Sequence, residues 1–385
     1  MDQSSKVRKQ VLVVCMINSV HSAKWLAQFE HSEIDFYIFP SAYFRKIHPL
    51  ITTLIEGDSN ATYSIQAPVI AAGWLDYFQE RVLKVITPRF SRKNRLHRFI
   101  DSVHPDTVHA LEFQSAAYLC SEVIDSFGKD FEFVATNWGS DIYHFMNISE
   151  HNIRIRKVLS QADKYSAECI RDYNLAKELG FKGFLLPVIP NSGGFLIQEI
   201  IKPRSIASSR RLILVKGYGG YFGRAELVMS VLEPILEKAT DYSIYFYSIT
   251  DDLLSQILQL QAKFQNRVNF STVKKPLKYQ EIQELFSQSR IYIGCSISDG
   301  ISTSFLEALV AGSYPIQTNT SCANEWVSKG AKASLVDLNI DELTEAIDLA
   351  ICDDSLVDDA QVVNSKIAQQ HLDSIEISKM ARTFY

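Results

Sequence analysis

Several things are scarce in this sequence. Its six cysteines, Cys15, Cys120, Cys169, Cys295, Cys322 and Cys352, are scattered and form no C-x-x-C pair. That pattern excludes a disulfide scaffold or a zinc framework and reads as free thiols of a reducing compartment. Long apolar runs are missing too: Val11 to Ile17 is too short for a signal or a membrane span, and Met1 to Gln10 is polar. The expected location is therefore cytoplasmic. Positive charge is not in excess, with 39 Lys and Arg against 44 Asp and Glu and a net charge of −5, so the chain as a whole is not an electrostatic nucleic-acid binder. No G-x-G-x-x-G follows the first apolar run, which argues against a dinucleotide fingerprint. Nor is there a carboxylate and histidine cluster with metal-ligand spacing, and no internal repeat or low-complexity tract is present.

What is present is the patterning of a layered α/β protein. The chain has 385 residues, 46% of them hydrophobic and 22% charged, enough for two domains with a core each. A continuous apolar run at Val11 to Ile17 predicts a buried parallel strand, and Ile34 to Phe39, Asp106 to Leu111 and Phe131 to Thr136 read as further strands of the first half. Runs at Arg211 to Val215, Tyr242 to Tyr247, Val268 to Phe270, Ile291 to Cys295 and Leu335 to Asp337 do the same in the second. Pro187, Pro190, Asn191, Ser192, Gly193 and Gly194 are dense turn signals, which places a linker at about residues 190–210, with Lys202 to Arg210 as an exposed connector.

The chain is organised around Ser296 to Pro315. A strand pattern, Ile291 to Cys295, runs into a Ser/Asp/Gly loop, and a helix pattern from Ser304 to Val310 follows, stopped by Gly312. Strand, polar loop and helix start present backbone N–H groups and a positive dipole end to an anion. The N–H groups around Ser302, Thr303 and Ser304 are the candidates here. Asp299 and Glu307 flank that start, and an ionised carboxylate is suited to holding sugar hydroxyls because it only accepts. A second strand-to-helix junction, Lys216 to Arg224, carries Gly217, Gly219 and Gly220, which let backbone approach a diphosphate closely, while Lys216 and Arg224 add charge.

Asp299-x7-Glu307, the Ala308 to Gly312 segment and Tyr314-Pro315-Ile316 together resemble the C-terminal signature of the retaining GT-B glycosyltransferases of family four. Asp299 stands where that family has Glu, one methylene shorter, and Glu325 falls where the family often has an acid. His109-Ala110-Leu111-Glu112, the Trp138-Gly139-Ser140-Asp141 loop and Ala162-Asp163 resemble the family's first domain. The resemblance implies two Rossmann-like doubly wound parallel-sheet domains facing each other across a cleft. It places an acceptor domain at 1–195, with a C-terminal helix at 366–385 packing back on it, and a nucleotide-sugar donor domain at 205–365. It implies sugar transfer from a UDP- or GDP-type donor with retention and no metal or cofactor. Glu307 is expected on the ribose hydroxyls, Asp299 on the donor sugar, and Lys216 and Arg224 on the departing diphosphate. In the family an Arg precedes a Lys in this loop; here the order is reversed and the interval longer. Lys274 or Lys275 is a candidate for reaching the phosphates.

The resemblance also turns the first loop, with Asn18, Ser19 and His21, toward the cleft. His109 and Glu112 lie at the carboxyl end of a predicted parallel strand, where ligands bind in open α/β sheets. Asp141 is a candidate acceptor for a substrate hydroxyl or a cap for the segment after it. Residues 84–98 carry Lys84, Arg89, Arg92, Lys93, Arg95 and Arg98 with no acid and with interleaved apolar residues. Such a stretch suits an anionic membrane surface or a lipid-diphosphate acceptor, as well as a solvated face. A glycan or lipid-linked acceptor in cell-surface polysaccharide or lipopolysaccharide synthesis is the expected partner. Two other readings stand beside this one. A GT-B sugar-nucleotide epimerase or inverting transferase would use His109, Glu112 or Asp141 as base, and a non-catalytic nucleotide-sugar or glycan-binding protein would bind without turnover.

Overall fold

A computed structural model describes residues 8–29, 32–44, 46–56, 64–66, 78, 82, 87–197 and 205–385. The chain divides into two compact units, Met1–Gly193 with Glu376–Tyr385, and Gly194–Ile375.

The first unit is built on a parallel sheet of seven strands: β1 (Lys9–Cys15), β2 (Ile34–Pro40), β3 (Ser64–Gln66), β4 (Thr107–Leu111), β5 (Glu132–Thr136), β6 (Lys164–Ser166) and β7 (Phe184–Leu185). Their order is β3-β2-β1-β4-β5-β6-β7, so the direction of winding reverses between β1 and β4. The unbroken apolar runs have a simple cause, since successive residues feed opposite cores. Val11, Val13 and Cys15 join Trp25, Phe29 and Ile38 on one face, whereas Leu12 and Val14 join Phe113, Phe133 and Leu159 on the other. Each such side chain contributes about 1.5–3 kcal/mol by leaving water.

The second unit repeats the plan with six parallel strands: β8 (Leu212–Lys216), β9 (Ser243–Ile249), β10 (Val268–Thr272), β11 (Ser289–Gly294), β12 (Tyr314–Thr318) and β13 (Ser334–Val336). The order is β10-β9-β8-β11-β12-β13, reversing between β8 and β11. Ile291 and Ile293 of β11 pack under Val228 and Ile347, while Tyr292 packs on the opposite face against Phe286 and Phe305. Both reversal points are places where a sheet of this kind opens at its carboxyl edge.

Two expectations about the connections need correcting. Of the expected exposed connector, Lys202 to Arg210, residues 202–204 lie outside the described residues, and Arg210 is buried. Its guanidinium donates to the carbonyls of Ser289 (3.0 Å), where β11 begins, and Gly312 (3.2 Å), which caps the helix Thr303–Ala311. The segment 366–385 does not act as one element. The helix Asp354–His371 puts Ile367 and Ala368 into the core of the second unit with Phe305 and Leu309, the helix Ser374–Arg382 follows, and residues from Glu376 onward join the first unit. There Ile377, Ala381 and Phe384 are buried beside Trp25 and Phe29.

Candidate functional site

In the second unit, three candidate residues come together at the reversal between β8 and β11. Lys216 ends β8 and is half-buried. Burial opposes its charge, but Asp299, Tyr292, Tyr218 and Glu307 outweigh that cost, so its pKa lies above the ordinary lysine value. Its ammonium lies 4.9 Å from the centroid of the Tyr218 ring. Asp299 sits in the loop after β11, where its Oδ1 accepts from Gly300 N (2.9 Å). Glu307 lies on the helix Thr303–Ala311 and is only 7% exposed.

That helix starts at Ser302, whose carbonyl accepts from Leu306 N (3.2 Å) but whose hydroxyl does not cap the first turn. The Ser302 hydroxyl is buried in this turn beside those of Tyr247 and Tyr292. Ser304 is buried and Thr303 half-buried in the same turn. The helix stops where Gly312 takes φ of 71°, a conformation that costs glycine little.

The glycine loop supplies space rather than donors. Gly217 N donates to Tyr247 O (2.8 Å), Gly219 N to Thr250 Oγ1 (3.0 Å) and Gly220 N to Asp252 Oδ2 (2.8 Å), so these three groups are already committed within the protein. A Cβ at Gly217 would lie 2.6 Å from Ile249 Cδ1, and one at Gly223 only 2.0 Å from Tyr218 O. The loop is stitched to the segment after β11 by Arg224 N to Cys295 O (3.1 Å) and Ile297 N to Phe222 O (2.9 Å). Arg224 itself folds back, with Nη1 donating to the carbonyls of Gly223 (2.5 Å), Gly220 (3.2 Å) and Tyr221 (3.3 Å). Lys274 is not brought to this site's carboxylates; its ammonium pairs with Asp251 (2.6 Å) on the exposed surface.

Sequence reasoning missed Gln283. This residue of the helix Tyr279–Gln288 donates from Nε2 to Glu307 Oε1 (3.1 Å). No local motif marks it, because the contact arises from packing one helix against another. Gly294 was likewise unremarked, although a Cβ there would fall 2.5 Å from both Tyr292 OH and Gln317 Oε1.

In the first unit the candidates separate into surface and interior. Asn18 is exposed. Ser19 caps the helix Val20–Ala27, its Oγ accepting from His21 N (3.1 Å), and the exposed His21 ring lies 5.5 Å from Trp138. His109 does not reach the edge of the sheet. It is fully buried in β4, Nε2 bonded to Thr136 Oγ1 (2.5 Å) and Nδ1 to Tyr385 OH (2.6 Å). Burial, with Lys164 adding to it, pushes its pKa down to about 3, so it is neutral. Its place toward the carboxyl end of the strand does not bring it to a cleft, because every residue of β4 is buried. Glu112 adopts φ of 84° and accepts from Ser115 N (3.0 Å) and Ala116 N (2.6 Å). Asp141 accepts from Trp138 N (2.9 Å) and Phe113 N (3.0 Å) through one oxygen. Burial raises the pKa of both acids, and their mutual repulsion raises that of Asp141 further. The Asp141 carboxylate ties the turns after β4 and β5 together, while that of Glu112 closes the turn after β4 on itself.

Within the basic stretch, Lys84 lies outside the described residues. Arg92 is turned inward, donating to Pro40 O (2.7 Å), so it is not part of a basic face. Arg89 is exposed, as is Arg98, which donates to Arg89 O (2.8 Å), and Lys93 donates to Ser126 Oγ (3.0 Å). No described helix is long and apolar enough to cross a membrane.

Comparison with known proteins fits this geometry. Residues 255–366 match the family described as glycosyl transferases group 1, and residues 78–168 match glycosyl transferase 4-like, together just over half the chain. The chain belongs to these glycosyl transferases. No curated protein sequence matches it. Among solved structures, this glycosyltransferase is similar in fold to Anabaena HepE crystallised with UDP-glucose (14% identity, TM-score 0.70, covering 97% of this chain and 99% of that one). It is similar also to sucrose-phosphate synthase from Thermosynechococcus elongatus (12%, 0.72, 98% of each chain). A third is the α,α-trehalose 6-phosphate synthase of Burkholderia multivorans (10%, 0.69, 98% and 97%). These likenesses establish the GT-B fold that the resemblance implied.

Proposed function

We propose that this glycosyltransferase moves a sugar, with retention of configuration, from a UDP- or GDP-type nucleotide sugar to a glycan or lipid-linked acceptor in cell-surface polysaccharide or lipopolysaccharide synthesis. The observation that carries the reading is Lys216, held charged beside Asp299 and Glu307 at a helix start. In the reaction, the bond from the sugar's anomeric carbon to the diphosphate oxygen breaks and negative charge grows on the diphosphate. Lys216 and the positive end of the helix Thr303–Ala311 stabilise that charge, with Arg224 joining once it leaves its own loop. Charge neutralisation by these cations is what a metal would otherwise provide, so the reading takes none. Glu307 accepts hydrogen bonds from the ribose and Asp299 from the sugar.

Retention is supported by what has become of the candidate bases. An inverting enzyme needs a base to take the acceptor's proton. His109 is buried with both ring nitrogens bonded, and Glu112 and Asp141 accept from backbone N–H groups. The departing diphosphate is then the natural receiver of the proton. Similar structures crystallised with UDP-glucose or named UDP-forming support a uridine donor.

The test begins with a thermal-shift panel of UDP, GDP, ADP and CMP. A ligand at 100 times its dissociation constant adds roughly 2.7 kcal/mol of stability. Turnover of the matching sugar conjugates follows. Glu307→Ala and Lys216→Ala are each expected to lower kcat/KM at least about a hundredfold, some 2.7 kcal/mol of transition-state stabilisation, with the fold intact. Near-unchanged turnover in both variants would remove the site assignment.

A further inference from the structure

We propose that Tyr218 is a positioning residue for Lys216: its ring, carried on the glycine loop, holds the lysine ammonium at the place where a nucleotide's diphosphate is received. The inference rests on the reading above that Lys216 meets that diphosphate, and deepens it.

Lys216 leaves the end of β8 on a long, freely rotating stem. Asp299 and Glu307 favour its charge, but charge alone does not fix a lysine head group, which has much rotamer freedom to lose. A ring face gives it one place to stand. The ammonium lies 4.9 Å from the centroid of Tyr218, inside the roughly 6 Å over which the electron-rich face of a ring attracts a cation. The attraction strengthens as water is removed, and Lys216 is half-buried.

The backbone around Tyr218 is held on three sides. Gly217 N donates to Tyr247 O (2.8 Å), Gly219 N to Thr250 Oγ1 (3.0 Å), and Tyr218 O itself accepts from Ala225 N (3.1 Å). Gly217 lies so close to β9 that a Cβ there would stand 2.9 Å from Tyr247 O, which leaves the residue before Tyr218 no room to shift. A backbone fixed at these points sets where the ring stands. Yet the Tyr218 side chain is 43% exposed and lies outside the hydrophobic cores of the second unit. Core burial does not explain an aromatic residue there, whereas the ammonium on its face does. A ring that orders the lysine before the nucleotide arrives removes that ordering from the cost of binding and presents the charge already aimed.

The experiment is a calorimetric titration of the whole protein with UDP and with GDP, arranged as a double-mutant cycle. Lys216→Met keeps the stem without the charge and is expected to weaken the preferred nucleotide about tenfold or more. Tyr218→Leu, at an exposed position, is expected to weaken it about five- to thirtyfold, the range for a cation held on a ring. Tyr218→Phe keeps the ring face and is expected to bind within about twofold of wild type. In the Lys216→Met background Tyr218→Leu is expected to add no more than about twofold, since the ring then has no cation to hold. Wild-type affinity in Tyr218→Leu overturns the inference. So does a Tyr218→Phe protein as weak as Tyr218→Leu, which would assign the effect to the hydroxyl. A Tyr218→Leu loss that persists undiminished without Lys216 overturns it too, being the mark of direct contact with the nucleotide or of a merely structural role. If Lys216→Met itself binds as tightly as wild type, or if neither nucleotide binds wild type, the reading of Lys216 as the diphosphate's partner falls instead, and this inference with it.

Discussion

Replacing Gly223 by alanine tests whether the glycine loop must keep its shape. The added Cβ would stand 2.0 Å from Tyr218 O, 2.4 Å from Tyr218 C and 2.7 Å from Gly219 O. All three are backbone atoms, so no side chain can swing aside and the loop has to open. Opening it breaks Ala225 N to Tyr218 O (3.1 Å) and Gly223 N to Gly219 O (3.3 Å), and it strains the two bonds that stitch the loop to Cys295 and Ile297. At about 0.5–1.5 kcal/mol for each of these four hydrogen bonds, the closed loop stands to lose roughly 2–6 kcal/mol. The control is Gly220→Ala. Gly220 has φ of 70° with open space around its Cβ position, so alanine costs only about 1 kcal/mol of backbone strain. Calorimetric melting, followed by titration with the nucleotide selected in the thermal-shift panel, reads both effects. Gly223→Ala is expected to bind about 30-fold or more weakly, and Gly220→Ala within roughly fivefold of wild type. If Gly223→Ala binds as well as Gly220→Ala, the loop's closed form is not the binding form and the argument fails.

Two further outcomes follow. His109 is neutral when folded, with a pKa near 3 against 6.5 in the unfolded chain, so below pH 6.5 the unfolded state binds a proton that the native state refuses. Between pH 7 and pH 5 wild type should therefore lose about 2 kcal/mol more than His109→Gln. Urea midpoints of the two proteins at both pH values measure this, and an equal loss would show that His109 titrates freely. Arg89, Lys93, Arg95 and Arg98 remain as the described cations of the 84–98 stretch after Arg92 is withdrawn. If these meet an anionic membrane, the Arg89→Glu, Arg98→Glu double variant should lose about 2 kcal/mol or more of affinity for phosphatidylserine vesicles in cosedimentation. Unchanged partitioning, or none by wild type, would return the stretch to an ordinary solvated face.

The parallel sheets were legible because buried strands cannot hide their composition. Ile34 to Phe39, Phe131 to Thr136 and Ile291 to Cys295 each lie within two residues of the observed β2, β5 and β11. The helix carrying Glu307 was legible for a related reason, its apolar face and Gly312 stop being local signals. Side-chain partnerships were not legible. Gln283 meets Glu307 only because two helices pack, and nothing within either helix announces the other. His109 misled because its place toward the carboxyl end of a strand suggested the ligand edge, whereas a central strand takes a neutral histidine inside when Thr136 and Tyr385 engage both nitrogens. The glycines of the loop were found as glycines, but their N–H groups prove to be spent on Tyr247, Thr250 and Asp252, acceptors some thirty residues away in sequence.

The return of residues 376–385 to the first unit has a consequence for how the protein is made. On a ribosome, the strands of the first unit emerge early, yet Ile377, Ala381 and Phe384, which seal one face of its sheet, emerge only after the whole second unit has been synthesised. Until then Trp25 and Phe29 lack their covering partners. The first unit made is thus the last to be finished. The nascent chain therefore spends most of its translation with an apolar face that a chaperone would recognise, while the second unit, contiguous in sequence, can close as soon as it is released.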